Sequence, residues 1–221
     1  MTNLVIFDMD GTLVDAFRDI QAAVNAMLAA RNLPTHDLAT IRGFVGNGVV
    51  RLVERSLPPG EHDQLDEAVA FVRRYYEEHP ADHAVLYPGA EDCLAELRAA
   101  GCKLAILSNK PHEVTLMVAR RLRLDTMMDA IVGERRDRPM KPDPAGVHEL
   151  QRQFAAQRLT VVGDGMPDAQ VARNAGGSFV GVDWGISSRE DLEVFGPVVS
   201  SLAEIPGLLM GKFPPPPTIR Q

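Results

Sequence analysis

Asp8 and Asp10 are the residues whose types and spacing most clearly indicate chemistry in this chain. They follow directly on an apolar run at residues 4–7, so a hydrophobic strand is expected to end in two carboxylates. Side chains two positions apart on an extended chain point the same way, so these two anions would emerge side by side and repel each other. A divalent cation, a neighbouring ammonium group or a raised pKa must offset that repulsion, and each of these is also a feature of catalytic sites.

Polar side chains also follow two later apolar runs, at the points where further strands are expected to end. These residues are Ser108 and Asn109, after residues 104–107, and Asp164 and Asp168, after residues 159–162. In an open parallel sheet the carboxyl ends of the strands share one edge, and ligands bind in the crevice there. We therefore expect these residues to meet the first pair of carboxylates in one site.

Lys141 adds a cation to these groups. It opens the sequence Lys-Pro-Asp-Pro at residues 141–144, where two prolines stiffen the loop around the ammonium group. An oxygen-rich cluster of Asp8, Asp10 and Asp164, without His or Cys nearby in sequence, suits Mg²⁺ better than zinc or copper.

Magnesium in turn suggests phosphate chemistry. Phosphoryl transfer requires in-line positioning and positive groups around the transferring oxygens, which Mg²⁺, Lys141, Ser108 and loop amides near Gly11 and Thr12 would supply. A carboxylate can serve as the nucleophile and form an aspartyl phosphate that water later hydrolyses. Its partner two residues on would protonate the leaving alcohol and then activate that water.

The elements that position these groups follow an α/β pattern. Short apolar runs without alternation predict strands at residues 4–7, 104–107, 130–132, 159–162, 179–182 and 198–199. Helical composition separates most of them, at residues 91–100, 113–122, 144–156 and 168–175. Strands that are apolar nearly throughout suit a mainly parallel, doubly wound sheet with helices on both faces.

Residues 16–83 interrupt this rhythm, because their apolar residues recur at helical spacing and form no convincing strand. The helical pieces are predicted at residues 16–31, 37–42, 47–56 and 61–79, punctuated by proline and glycine. We therefore expect an α/β core at residues 1–15 and 84–213 with a helical cap inserted at 16–83. The proline-rich residues 214–221 predict an extended tail.

Composition excludes several classes of protein. The formal net charge of −7 over 221 residues argues against a nucleic-acid partner. No segment supplies the roughly 18 consecutive apolar residues of a membrane span. Cys93 and Cys102 are the only cysteines, so a disulfide framework is excluded and buried thiols in a cytoplasmic protein are expected. The sequence leaves open whether the protein is a monomer or a homodimer.

Four ordered motifs carry a family resemblance. They are DxDGTLxD from Asp8 to Asp15, a serine after the next motif strand, KPDP at 141–144 and GDGxxD at 163–168. Together they resemble the haloacid dehalogenase superfamily of phosphohydrolases, and the resemblance extends over nearly the whole chain, including a helical cap after the first motif.

The resemblance implies a role for each motif residue. Asp8 would be the nucleophile, Asp10 the general acid/base, and Ser108 and Lys141 the phosphate ligands. Asp164 would be a carboxylate ligand of Mg²⁺, Asp10 would bind the metal through its backbone carbonyl, and Asp168 would position the metal's shell or its waters, or else cap the helix that follows. Gly165 departs from the pattern, because many relatives have serine there, and leaves the metal's outer shell one hydroxyl poorer.

A narrower resemblance points to the substrate. The acid/base carboxylate of Asp10 argues against dehalogenases and phosphonate-cleaving enzymes, which lack it. The segment 41–49 and the sequence Ser-Asn-Lys-Pro at 108–111 resemble phosphoglycolate phosphatases. We therefore expect a small phosphorylated metabolite as substrate. The residues expected to bind phosphate or substrate are Gly11, Thr12 and Asn109 in the core and Arg42 and Asn47 in the cap.

Three alternatives remain at this point. A sugar phosphomutase would share the aspartyl-phosphate step and return the phosphoryl group to a bound sugar. A pyrophosphatase of the same superfamily would use the same groups. A non-catalytic protein that binds a phosphorylated metabolite would retain the scaffold, although no essential carboxylate is missing from this sequence.

Overall fold

The structure is a computed structural model and describes residues 2–211. The predicted tail at 214–221 lies outside the described residues, as do residues 212 and 213 at the end of the predicted core. The strands are β1 (Asn3–Phe7), β2 (Val14–Asp15), β3 (Val85–Leu86), β4 (Lys103–Pro111), β5 (Ala130–Glu134), β6 (Arg158–Gly163), β7 (Ser178–Val182) and β8 (Val198–Val199).

The helices alternate with these strands or lie together between β2 and β3. They are α1 (Phe17–Ala30), α2 (Leu38–Phe44), α3 (Gly48–Ser56), α4 (Leu65–Glu78), α5 (Ala90–Ala99), α6 (His112–Arg121), α7 (Ala145–Phe154), α8 (Met166–Asn174), α9 (Arg189–Glu193) and α10 (Glu204–Leu209). Single 3₁₀ turns occur at His62–Gln64 and Leu124–Thr126. We call the segment with α1 to α4, residues 16–83, the helical insertion.

Six strands form one parallel sheet in the order β5-β4-β1-β6-β7-β8. Strand β1 lies in the middle, and its last residue, Phe7, pairs with Ile106 of β4 and Val162 of β6. The residues that follow these three partners therefore emerge together at the carboxyl edge of the sheet. The predicted fold class, a doubly wound and mainly parallel α/β sheet, is confirmed.

Side-chain alternation along the central strands supplies both faces of the sheet. In β1, Val5 and Phe7 join one buried apolar cluster, whereas Leu4 and Ile6 join the other. Because successive side chains of a strand point to opposite faces, a continuous apolar run buries the sheet on both sides. The first cluster also contains buried residues of the helical insertion, such as Phe17, so the insertion packs against the core through a common apolar layer.

The strands and helices differ from the predicted ones in three places. Strand β4 continues to Pro111, and its pairing with β5 shifts between Leu107 and Pro111. The two-residue strands β2 and β3 pair antiparallel across both connections to the insertion, and two residues are too few to show a period. The short helices α9 and α10 also escaped prediction, since neither is long enough to show helical periodicity.

Within residues 2–211, no helix has the length and apolar character needed to cross a membrane.

Candidate active site

The turn after β1 presents Asp8 and Asp10. The carbonyl of Met9 accepts hydrogen bonds from the backbone N–H groups of Thr12 (3.3 Å), Leu13 (3.1 Å) and Val14 (2.9 Å), which closes the turn tightly. Gly11 adopts φ +86°, and a Cβ there would lie 2.2 Å from Asp164 Oδ2. Only glycine combines that backbone conformation with so close an approach.

The predicted phosphate-binding amides of Gly11 and Thr12 are used within this turn. The Gly11 N–H donates to the carbonyl of Val14 at 2.9 Å, and the Thr12 N–H donates to Met9. The Thr12 hydroxyl is buried and donates to Asp164 Oδ1 at 2.9 Å. In this structure both residues therefore shape the turn and hold Asp164.

Three carboxylates converge beside this turn. One oxygen each of Asp8, Asp164 and Asp168 lies within 4.8 Å of the others. Asp164 and Asp168 are buried, and Asp164 is enclosed by Gly185, whose Cβ, if present, would lie 2.1 Å from the Cβ of Asp164. A Cβ at Gly163 would likewise lie only 2.3 Å from the Cβ of Asp168.

Burial and mutual repulsion perturb these acids. Burial raises the pKa of Asp164 well above its ordinary value, and the charges of Asp8 and Asp168 raise it further, against the Thr12 hydroxyl and the Ile186 N–H, which lower it. Burial also raises the pKa of Asp168, which Lys141 partly offsets. The cluster is therefore costly to keep fully ionised without a further cation.

The donor set fits a hard divalent cation. All three groups are carboxylates, and within residues 2–211 the buried oxygen Asp10 Oδ1 beside them has no hydrogen-bond partner. Buried polar atoms of a folded protein are normally paired, so an unpaired oxygen next to three crowded carboxylates indicates a ligand there. Oxygen ligands of this kind suit Mg²⁺ or Ca²⁺. The side chain of Asp10 lies outside the three-carboxylate cluster.

Lys141 lies against two of these acids. Its Nζ is 2.8 Å from Asp8 Oδ1 and 2.6 Å from Asp168 Oδ1. Burial alone would lower the pKa of this ammonium group, but the charges of Asp168 and Asp8 outweigh that effect and raise it. Lys141 is therefore protonated at neutral pH and adjoins Asp8.

Ser108 and Lys110 approach the site from β4. The buried Ser108 accepts a hydrogen bond from the backbone N–H of Lys110 at 3.3 Å. Lys110 Nζ donates to Asp10 Oδ2 at 2.9 Å and lies 4.6 Å from the centre of the Tyr76 ring. Burial raises the pKa of Asp10, and Lys110 partly counters the rise.

Sequence reasoning missed Lys110 as a site residue. The available signal was its position two residues after Ser108, which places both side chains on one face of an extended chain. Asp15, the last residue of the first motif, instead lies half-exposed outside the carboxylate cluster.

Asn109, a predicted substrate ligand, lines the cavity, and its carboxamide is hydrogen-bonded to backbone groups. Its Nδ2 donates to the carbonyls of Gly46 and Lys141, each at 3.0 Å, and its Oδ1 accepts from the Lys141 N–H at 2.9 Å. The side chain is thus committed to backbone groups of the insertion and of the Lys141 loop.

Arg42 and Asn47 of the helical insertion line a neighbouring groove of about 330 Å³. The Arg42 guanidinium lies 4.0 Å from the centre of the Phe17 ring and 4.0 Å from Asp15. Asn47 Oδ1 accepts from Arg55 at 3.0 Å. The structure therefore does not bring these two residues to the carboxylates.

A cavity of about 60 Å³ separates the carboxylates from the insertion. Its inner wall contains Asp8, Asp10, Ser108, Lys110, Lys141, Asp164 and Asp168. Its outer wall contains Ile20, Val45, Val49, Leu52 and Tyr76. The arrangement places carboxylate, hydroxyl and ammonium groups on one side of a small cavity and apolar groups on the other.

Comparison with known proteins gives a consistent result. The family model for haloacid dehalogenase-like hydrolases matches residues 5–182. A phosphoglycolate phosphatase of Pseudomonas syringae pv. tomato is 34% identical over an alignment of 221 positions that covers 95% of this chain and 80% of that protein. A phosphoglycolate phosphatase of Cereibacter sphaeroides is 37% identical over 177 residues, covering 78% of this chain and 81% of that one.

Solved structures show the same similarity. The crystal structure of a predicted phosphoglycolate phosphatase from Haemophilus somnus 129PT matches with a TM-score of 0.84 and 26% identity, covering 96% of this chain and 98% of that chain. A haloacid dehalogenase-like family hydrolase from Streptococcus pneumoniae matches with a TM-score of 0.82 and 27% identity, covering 92% and 96% of the two chains.

Proposed function

Because this chain belongs to the haloacid dehalogenase-like hydrolases, we propose that it is a Mg²⁺-dependent phosphatase acting on phosphoglycolate or a similar small phosphate monoester. Its similarity to phosphoglycolate phosphatases identifies it as a phosphoric monoester hydrolase. The observation that carries the finer proposal is the meeting of Asp8, Asp10, Lys141 and Asp164 at one cavity, from three separate parts of the chain.

Asp8 is the proposed nucleophile. Its carboxylate lines the cavity, and Lys141 Nζ at 2.8 Å provides a cation for the phosphoryl oxygens. Attack by an Asp8 oxygen forms an O–P bond while the ester O–P bond breaks, which leaves an aspartyl phosphate and an alcohol. Ser108, which is buried and lines the same wall, is the proposed hydroxyl donor to a phosphoryl oxygen.

Asp10 is the proposed general acid and base. In the first step it gives its proton to the leaving alcohol oxygen, and in the second it takes a proton from the water that attacks phosphorus. The second step releases inorganic phosphate and restores the Asp8 carboxylate. A raised pKa in Asp10 supports this proposal, because the group must carry a proton when the ester binds.

Asp8, Asp164 and the backbone carbonyl of Asp10 are the proposed holders of Mg²⁺. The ion would neutralise the crowded carboxylates and the charge that develops on the phosphoryl oxygens. Asp168 has a supporting role, because its two oxygens accept from Lys141 Nζ (2.6 Å) and the Gly165 N–H (3.1 Å). Asp168 therefore fixes both the Lys141 ammonium group and the loop that carries Asp164.

The cavity supports a compact substrate. Its volume of about 60 Å³ and its lining of carboxylate, ammonium and apolar groups support a small substrate. We propose that the helical insertion is a cap over an α/β core and that its apolar wall excludes water during the reaction. The two buried free thiols, Cys93 and Cys102, support a reducing cytoplasm as the compartment, whether the protein is a monomer or a homodimer.

Phosphate release from a panel of esters tests this function. With Mg²⁺ present, phosphoglycolate should be hydrolysed with the highest kcat/KM, and EDTA should abolish turnover. Asp8→Asn should lose at least about 10³-fold in kcat because it lacks the nucleophile. Asp15→Asn is the matched control, since Asp15 is in the same motif but half-exposed and outside the cluster, and it should keep activity within a few-fold.

Full activity of a folded Asp8→Asn variant would refute the nucleophile assignment. Including pyrophosphate and phosphosugars in the panel separates the related activities. A mutase would produce isomerised phosphosugar with little free phosphate, and preferential hydrolysis of pyrophosphate would replace the proposed substrate class.

A further inference from the structure

Asn109 connects the helical insertion to the Lys141 loop. We propose that it is a positioning residue that couples docking of the insertion to the placement of Lys141. The consequence for turnover rests on the proposed function, because Lys141 matters there as the phosphate ligand beside Asp8. The coupling itself concerns only the contacts of the folded chain.

The three hydrogen bonds of the Asn109 carboxamide are divided between two segments. Two bonds hold the backbone of Lys141 through both its N–H (2.9 Å) and its carbonyl (3.0 Å). The third is donated to the carbonyl of Gly46 in the insertion, at 3.0 Å. A carboxamide has two N–H donors, so both are occupied when the insertion is docked. Asn109 is buried, and an unpaired donor there would be costly.

The loop that carries Gly46 fits closely against the core. Gly46 adopts φ +112°, and a Cβ there would lie 2.9 Å from Ile186 Cδ1. Gly48, two residues on, would place a Cβ 2.9 Å from Met140 Sδ. The absence of side chains at these two positions lets the loop backbone reach Asn109 and pack beside the residue that precedes Lys141.

This arrangement gives Lys141 two kinds of restraint. Its ammonium group is held by Asp8 and Asp168, and its backbone is held by Asn109. When the insertion moves away, Asn109 loses the Gly46 acceptor and one of the three bonds that fix its amide plane. The Lys141 backbone is then less restrained, so the placement of its ammonium group depends in part on docking of the insertion. The coupling is reciprocal, because a ligand held by Lys141 favours docking in turn.

Arg73 and Glu134 provide a matched control. They form another polar contact between the insertion and the core, with Arg73 Nη2 2.9 Å from Glu134 carboxylate oxygens. Neither residue lines the cavity or contacts Lys141 in the structure. Glu134→Gln therefore removes one charge from a separate insertion–core contact and leaves the Gly46 loop and the three bonds of Asn109 in place.

Hydrogen–deuterium exchange of the wild-type full-length protein, Gly46→Ala and Glu134→Gln tests the coupling. In Gly46→Ala the added methyl group displaces the loop and its carbonyl from Asn109, so exchange at the Lys141 amide should rise about tenfold. In Glu134→Gln, exchange at the Lys141 amide should stay within about twofold of the wild-type rate. An unchanged Lys141 amide in Gly46→Ala overturns the proposal, as does an equal rise in Glu134→Gln, which would indicate general loosening.

Asn109→Asp provides a second variant should Gly46→Ala fail to fold. Its carboxylate still accepts from the Lys141 N–H but repels the carbonyls of Gly46 and Lys141. Exchange should therefore rise in both the loop that carries Gly46 and the loop that carries Lys141. On p-nitrophenyl phosphate, kcat should fall by about 10- to 100-fold, with less than about a threefold change in KM. Protection of both loops at wild-type levels, or an unchanged kcat, would contradict the proposal. Exchange requires no turnover, so an inactive wild-type protein would reject the proposed function and leave the coupling testable.

Discussion

Asp164 is an acid in surroundings that oppose its ionisation. It is 1% exposed and stands beside two other carboxylates, and among residues 2–211 its carboxylate accepts hydrogen bonds from the Thr12 hydroxyl and the Ile186 N–H. Protonation or a bound cation relieves the same repulsion. Metal and proton therefore compete for this residue, and the competition gives the stability of the protein a pH dependence with a definite sign.

The Mg²⁺-induced rise in Tm should grow with pH between about 5 and 8. The pKa of Asp164 is raised in the folded state, so the metal-free folded protein loses stability as the pH rises above the ordinary Asp value of about 4 towards the raised one. Mg²⁺ must displace that proton at low pH and finds a ready carboxylate at high pH. Thermal scans with Mg²⁺ or EDTA across the range measure the effect.

Asp164→Asn should abolish most of the Mg²⁺-induced rise in Tm at every pH, whereas Asp15→Asn should retain it. A wild-type rise that is independent of pH would contradict the assignment of Asp164 as the residue where proton and metal compete.

Lys110→Met should move the alkaline limb of the kcat/KM profile to higher pH. Burial raises the pKa of Asp10, and Lys110 at 2.9 Å lowers it in part, so removing the ammonium group raises the pKa further. Asp10 must be protonated for the first chemical step, and the limb where it loses that proton shifts with its pKa. Rates on p-nitrophenyl phosphate between pH 5 and 9 measure the limb, with Lys110→Arg as the control that keeps the charge. A shift of the limb to lower pH, or no shift, would show that Lys110 does not lower the pKa of Asp10.

Residues at strand ends were predictable from sequence, and residues whose importance depends on a distant partner were not. Asp8, Asp164 and Ser108 follow apolar runs, so their meeting at one edge of the sheet follows from topology alone. The role of Asn109 depends on a carbonyl 63 positions earlier in the chain, and the sequence contains no local trace of that contact.

The paired strands β2 and β3 bring together the two connections between core and insertion. Val14 pairs with Leu86 and Asp15 with Val85, so the chain leaves and returns side by side. Asp19 strengthens the junction, because its carboxylate accepts hydrogen bonds from the backbone N–H groups of His83 and Ala84, each at 2.9 Å. The first turn of α1 is thereby tied to the returning segment.

Asp19→Ala should destabilise the protein by about 2–4 kcal/mol, because it leaves two backbone donors unpaired at a site where Asp19 is buried. Urea unfolding followed by circular dichroism measures the loss. Asp82→Ala is the control, since Asp82 is exposed and a surface contact such as that with His79 is worth about 0–1 kcal/mol. Equal losses of stability in the two variants would show that the hydrogen bonds of Asp19 do not stabilise the junction between core and insertion.

The sequence predicted the helical insertion but not the paired strands at its two ends. The sequence predicts a helical insertion because helical spacing replaces short apolar runs after Asp15. The two strands that hold its ends together were not predicted, since their pairing is a tertiary contact between residues more than 60 positions apart. The prediction also ended β4 at Leu107, because the apolar run stops there, whereas backbone pairing with β5 continues at Pro111.

The insertion and one face of the sheet share a single buried apolar cluster. Phe17 and Leu28 of α1 and Val72 of α4 belong to the same cluster as Phe7 and Ile106 of the central strands. An insertion stabilised only by its own packing would lack such a continuous layer. The shared layer makes the stability of one part depend on the other.

Core and insertion should therefore unfold in one transition. Trp184, the only tryptophan, lies in the core beside Tyr87, with ring centres 5.7 Å apart, and reports on the core by fluorescence. Far-UV circular dichroism reports on all helices, including α1 to α4. The two urea midpoints should coincide, as they do for a two-state protein. An earlier loss of helical signal would show that the insertion unfolds by itself and that the shared layer contributes little.

The doubly wound sheet follows from the sequence more readily than its register does. Continuous apolar runs indicate strands covered on both faces, and each central strand divides its side chains between the two apolar clusters accordingly. The order of the strands and the close fit of Gly163 against Asp168 depend on three-dimensional packing, which periodicity does not encode.

The glycines that enclose the acids also determine which positions can vary. At Gly11, Gly163 and Gly185 an added Cβ would lie 2.1–2.3 Å from atoms of Asp164 or Asp168, so even alanine is excluded without movement of the site. The opposite wall consists of side chains from the insertion, such as Val49 and Leu52, which can change size without touching the acids. In a library of single substitutions selected for activity, the glycine positions should remain invariant while the wall diversifies. New specificities would then evolve by remodelling the insertion over unchanged chemistry.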